Sequence, residues 1–198
     1  MTTKKLGKRK CKSCGEVFQK TSMTQSVCSI ACAIAHANVL KAKREAYVAK
    51  KERSETREKR MALKTIPELI KEAQTAFNAW IRYRDRNSLC ICCEKPLGEF
   101  ATGGDFDCGH YRSRGAAGHL RFNEDNAFGQ RKYCNTYLSG NVQGMREGMI
   151  KRIGIERVRA IETNNETHKW TKEELIEIKR HYREKLKQAK TEEERKVA

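Results

Sequence analysis

The sequence predicts an α+β chain, mostly α-helical, in which a small β-containing module and an N-terminal zinc finger are held by cysteines. Three observations lead there. Good helix formers fill long stretches, and apolar residues recur within several of them at helical spacing. The nine cysteines gather near the N-terminus and in the middle of the chain. In that middle, Thr102-Gly103-Gly104 separates two short runs, Glu99–Ala101 and Phe106–Tyr111, which is the pattern of a hairpin.

The length, 198 residues, suits one ordinary domain or two small ones. Lys and Arg outnumber Asp and Glu by 42 to 25, a formal charge of +17. That excess suits a polyanionic partner, nucleic acid first. A basic protein of ribosome-associated or membrane-surface type is the blander alternative. No apolar run reaches the ~18 residues that a membrane span needs. The opening Met1-Thr2-Thr3-Lys4-Lys5 lacks the apolar core of a secretory signal, so a cytoplasmic protein is expected. In that compartment, an odd number of cysteines points to metal rather than disulfides.

The N-terminal segment, expected at residues 1–36, carries Cys11, Cys14, Cys28 and Cys32. Two short cysteine pairs separated by a loop can surround one zinc ion. Glycine after Cys14 fits the turn of a zinc knuckle. The finger is structural, or it also touches nucleic acid through Lys8, Arg9, Lys10 and Lys12. Residues 37–64 read as a basic helical linker. Its apolar residues Val39, Leu40, Tyr47 and Val48 form no stripe, so a solvated helix with pairs such as Glu55–Lys59 is expected.

Residues 65–198 form the remaining domain, with its core at 89–141. Thr65 and Glu68 stand at capping-box spacing, and Leu69, Ile70, Ala73, Phe77, Trp80 and Ile81 follow as an apolar helical stripe. Cys90 and Cys93 have knuckle spacing, with Cys92 as a spare. A helix carrying Met145, Met149, Ile150 and Ile153 breaks at Gly154, and a shorter one carries Ile155, Val158 and Ile161. A second capping box, Thr171 to Glu174, opens the last helix. Its charged tail is expected to fray after about Lys190.

His110, Asp107, Asn126 and Asn135 bring a candidate base and oxygen donors into a short span. Phosphodiester hydrolysis needs a base for water and a cation for the phosphate. Neutral histidine suits the first role near pH 7, and Asp and Asn oxygens suit Mg²⁺ or Mn²⁺. A structural or zinc-bound His110 is the other reading. Arg112, Arg114 and Arg121 flank the histidine and could hold phosphate bidentately. No helix presents Asn or Gln at base-reading spacing, so preference for nucleic-acid structure rather than sequence is expected.

Gly109-His110-Tyr111, Arg121-Phe122 with Asn126, and Cys134-Asn135 with Ser139-Gly140-Asn141 together resemble the HNH (His-Asn-His) nuclease superfamily. More closely they resemble the NinG (Rap) recombination proteins of lambdoid phages. That likeness extends to the cysteine finger, to Trp80-x-Arg82-x-Arg84-Asp85 and to His168-Lys169-Trp170-Thr171. It implies a ββα-metal module on a treble-clef zinc site, acting as a recombination endonuclease on Holliday junctions and D-loops in a bacterial host. Phage or host recombination proteins are the implied partners. By resemblance, His110 is the general base, Asn126 orients the base or its loop, and Asn135 binds metal. Asp107 matches less well, because alternation puts it on the face opposite His110 unless Gly109 marks a bulge. The family pattern has a cysteine where this chain has Arg131. Zinc in the second site therefore rests on Cys90, Cys93 and Cys134, with Cys92 or Cys108 as a fourth ligand, or the site is empty. A non-catalytic zinc-dependent nucleic-acid-binding protein is the competing reading. A scaffold that loads a recombinase is a third.

Overall fold

The computed structural model describes residues 6–100 and 104–197 and divides the chain into two compact units, 1–63 and 64–198. Ala101, the end of the first expected run, and Thr102 and Gly103 of the expected turn lie outside the described residues. No helix among the described residues is long and apolar enough to cross a membrane.

In the first unit, strands β1 (Lys8–Lys10) and β2 (Val17–Gln19) pair antiparallel, with Arg9 opposite Phe18. The turn between them is closed by hydrogen bonds from Cys11 N–H to the Glu16 carbonyl and from Gly15 N–H to the Cys11 carbonyl. Helix α1 (Ile30–Leu63) follows without a break at residue 36, so Cys32 sits on its first turn. It buries none of its side chains, as the missing apolar stripe implies. The ion pair that Glu55 makes is with Lys51 rather than Lys59.

The second unit opens with α2 (Ile66–Asp85), whose start is capped as its sequence indicates. The Glu68 carboxylate accepts from Thr65 N–H at 2.8 Å. Leu69, Ala73, Phe77 and Ile81 are buried along one face. Strands β3 (Phe106–His110) and β4 (Ala127–Arg131) form an antiparallel ribbon, with Phe106 opposite Arg131 and His110 opposite Ala127. Much of the hairpin expected between Glu99–Ala101 and Phe106–Tyr111 falls outside the described residues; among those described, Asp105 N–H donates to the Glu99 carbonyl and β3 pairs with the later segment β4.

One wide helical turn, Tyr133–Tyr137, leads into α3 (Val142–Ile153) and α4 (Ile155–Thr163), which part at Gly154. Met145, Met149, Val158 and Ile161 pack with Ile91, Leu120 and Phe128 into one apolar cluster. Helix α5 (Lys172–Val197) lies on α2, with Tyr182 edge-on to Phe77 at 4.9 Å. Its end does not fray as expected. The helix continues to Val197, and Glu193 accepts from the Tyr83 hydroxyl and pairs with Arg86 at 2.5 Å. At its start, Thr171 and Glu174 cap reciprocally: Thr171 N–H donates to Glu174, and Glu174 N–H to the Thr171 hydroxyl.

Candidate functional site

The two cysteine knuckles share one backbone design. In the first, Cys11 N–H bonds to the Glu16 carbonyl and Gly15 N–H returns to Cys11. In the second, Cys90 N–H bonds to Lys95 and Glu94 N–H returns to Cys90. The residue after each second cysteine is left-handed, Gly15 at φ 80° and Glu94 at φ 55°. Amides point at the sulfurs as well: Ser13 and Cys28 N–H donate to Cys11 Sγ at 3.4 Å, and Arg131 N–H to Cys90 Sγ at 3.3 Å.

Two groups of four sulfurs result, Cys11–Cys14–Cys28–Cys32 and Cys90–Cys92–Cys93–Cys134, each with its sulfurs within 4.8 Å of one another. Contacts of 3.5 Å join Cys14 to Cys28, Cys28 to Cys32, Cys90 to Cys92 and Cys93 to Cys134. Tetrahedral zinc with bonds of ~2.3 Å places its sulfurs ~3.8 Å apart, so both groups fit that ion. The thiols also need a cation in order to ionise together. Contact with Cys32, Cys14 and Cys11 pushes the Cys28 thiol up to about 12. Contact with Cys92, then burial, pushes Cys90 up to about 12. Cys92, called a spare from spacing, joins the cluster, and Cys108 lies outside it on β3. Arg131 contributes its backbone N–H to the sulfur environment in place of a thiolate.

His110 closes β3 on the face turned toward α2, its ring 5.9 Å from that of Phe77. Its Nε2 lies 3.0 Å from the Arg121 carbonyl oxygen, which can only accept. Nε2 therefore carries the proton, and Nδ1 keeps a lone pair. Burial pushes the imidazole down to about 4, and the charges of Arg114 and Arg121 act in the same direction. The carbonyls of Arg121 and Cys108 pull the other way and lose. The ring is thus neutral at physiological pH.

Asn126 is completely buried. Its Oδ1 accepts from Arg112 N–H at 2.8 Å, and its Nδ2 donates to the carbonyls of Arg112 and Leu120 at 3.0 and 3.2 Å. With the bond from Tyr111 N–H to the Asn126 carbonyl, it ties the exit of β3 to the loop before β4. Its amide touches backbone only, so it positions the loop beside His110.

The remaining candidates separate. The register of β3 on β4 is continuous, so Gly109 marks no bulge and Asp107 points away from the His110 face. What Gly109 does instead is leave room. A Cβ there would sit 2.2 Å from Oε1 and 3.0 Å from Cβ of buried Gln130. Asn135 lies on the wide turn beyond the Phe106–Arg131 end of the ribbon, and His110 lies at the other end, four residue steps or ~13 Å away. No group of three or more carboxylate, imidazole or thiol ligands forms at His110 among the described residues.

The arginines also divide. Arg112 is committed to the fold, donating to the carbonyls of Ile161, at 3.1 Å, and of Asn164, and to Asn165 Oδ1 at 3.0 Å. Those carbonyls lie at the end of α4 and just beyond it, where a cation is favoured. Arg121 reaches Gln74 at 3.4 Å and the Arg114 carbonyl at 3.2 Å, and Arg114 is exposed. Sequence reasoning missed Asp85, buried beneath the ribbon. It accepts a two-pronged bond from Arg84, at 2.7 and 2.9 Å, and fixes Gly129 N–H of β4 at 2.7 Å.

Two four-sulfur clusters and a short ribbon carried among helices define a small cysteine-rich α+β protein. The chain belongs to the NinG family: the family model described as Bacteriophage Lambda NinG protein matches residues 3–193. Among relatives, Protein ninG of Escherichia phage lambda is 46% identical over 129 residues, covering 65% of this chain and 61% of the relative. Protein ninG of Salmonella phage P22 is 44% identical over 129 residues, covering 65% of this chain and 61% of the relative. The match thus spans about three-fifths of the length of these relatives. No solved structure matches the chain.

Proposed function

We propose that this protein is an HNH-type endonuclease that hydrolyses phosphodiesters in branched DNA, Holliday junctions and D-loops included, during phage recombination in the bacterial cytoplasm. The observation that supports this best is the state of His110: a neutral imidazole whose Nε2 is held by the Arg121 carbonyl, close enough to Arg114 and Arg121 to feel their charges. Nδ1 accepts a proton from the attacking water. Arg114 and Arg121 bind the scissile phosphate. Their charges help to depress the ring, so neutralising them with phosphate strengthens the base once substrate is bound. Asn126 holds the loop that carries this arrangement. Asn135, and Asp107 less well, would hold Mg²⁺ or Mn²⁺, which would stabilise charge on the cleaved phosphate.

Residues 1–36 serve as a zinc finger and residues 37–64 as a basic arm along DNA, while residues 65–198 hold the nuclease module with its core at 89–141. Phage or host recombination proteins are the natural partners. A non-catalytic, zinc-dependent DNA-binding protein is the second reading, favoured by Arg131 standing where the family pattern has a cysteine and by Asp107 facing away from His110. The two are separated by incubating the full chain with a labelled four-way junction, a fork and linear duplex, with Mg²⁺ or Mn²⁺ present or absent. Cutting confined to branched substrates supports the nuclease. Junction binding without cutting under every condition supports the second reading.

A further inference from the structure

The wide turn after β4 carries two aromatic rings that the proposed chemistry does not use. Tyr133 is 58% exposed and Tyr137 77%. Their ring centroids lie 5.9 Å apart with planes tilted by 37°, so the rings flank each other without stacking and leave faces open. Leu138 beside them is 45% exposed. The turn is tied to the fold at several points. Cys134, between the two tyrosines, belongs to the central sulfur cluster and is buried. Leu138 N–H returns to the Tyr133 carbonyl at 3.2 Å, and Gly140 N–H to Cys134 at 3.0 Å.

The surroundings are basic. Arg131 and Lys132 lead into the turn, and no acidic residue occurs between Asp125 and Glu147. Asp105 is close, its carbonyl accepting from Lys132 N–H, but its carboxylate accepts from Glu99 N–H at 3.0 Å. A pre-ordered aromatic pair with cations at its edge is the chemistry that binds unpaired nucleobases. Each ring offers a face for stacking, and the cations meet the backbone phosphate. Bases inside a duplex are already stacked and offer no free face. A second copy of the chain is the other conceivable occupant, but a molecule of formal charge +17 repels its own copy and attracts a polyanion.

We infer that Tyr133 and Tyr137 form a stacking platform for unpaired bases, such as those exposed where strands part at a branch. The inference rests on the nucleic-acid reading above. The test uses full-length protein and oligonucleotides carrying 2-aminopurine, either single-stranded or fully paired. The parent should bind the single strand and change the probe's fluorescence by stacking. Tyr133→Ala with Tyr137→Ala should weaken single-strand binding about ten-fold or more and abolish that change. Duplex binding should stay within two-fold, and Tyr133→Trp with Tyr137→Trp should retain both signals. Unchanged zinc content and circular dichroism show that the variants are folded. A folded alanine variant that binds single strands as the parent does overturns the platform and leaves the nucleic-acid reading intact. A parent that binds no DNA overturns both. A parent dimer that the alanine changes dissolve assigns the patch to a second copy and also overturns the platform.

Discussion

At the scale of single residues, the proposed chemistry turns on His110. Its folded value, about 4, lies below the ordinary 6.5, because burial disfavours the imidazolium. The sign follows from linkage. The neutral ring's contribution to stability is complete above pH 6.5 and is lost as pH falls from 6.5 toward 4. In an NMR titration from pH 8 to 5.5, the His110 ring signals should therefore barely move; a midpoint near 6.5 contradicts the burial argument. The sulfur cluster gives a second residue-scale prediction. Cys92→Ser should remove about one zinc per chain, and Cys108→Ser should remove none. The opposite pattern reinstates Cys108 as the fourth ligand. The first cysteine group was legible in the sequence because its spacing specifies it locally. The choice between Cys92 and Cys108 was not, because it depends on how β3 pairs. In-register pairing places Cys108 against Gly129, away from the sulfurs. The same register sends Asp107 to the wrong face, which only the absence of a bulge could reveal.

At the scale of elements, α3 can lie on the central knuckle only because Gly144 and Gly148 face it. A Cβ at Gly148 would fall 1.7 Å from the Ile91 backbone oxygen, and one at Gly144 2.5 Å from that of Cys92. Backbone cannot swing aside as a side-chain tip can. Gly148→Ala should therefore cost at least ~1–3 kcal/mol, lower Tm by roughly 5 °C or more, and loosen zinc in the central cluster. Parent-like melting and zinc retention in that variant would show that α3 does not approach so closely. The helices themselves were readable: both capping boxes form, and the α2 stripe is buried. Non-local contacts were not. The partner of β3 comes from residues 127–131, and a glycine-rich turn close by gave a more attractive local hairpin. The end of α5 looked like a fraying charged tail. What orders it is Glu193 meeting Tyr83 and Arg86, residues distant in sequence that charge composition does not predict.

At the scale of the whole molecule, the proposed function together with the excess of cations makes counterion release the expected main source of DNA affinity. Junction binding should weaken steeply between about 50 and 200 mM salt. A flat dependence would argue against phosphate-dominated binding. Cleavage is a separate claim, and one comparison isolates it: the parent and His110→Ala, each assayed for cutting and for binding the same four-way junction. Replacing one neutral imidazole removes the base but leaves the arginines and both sulfur clusters in place. The account predicts that cutting falls by about two to four orders of magnitude while junction affinity stays nearly unchanged. Cutting by His110→Ala at the parent rate contradicts it.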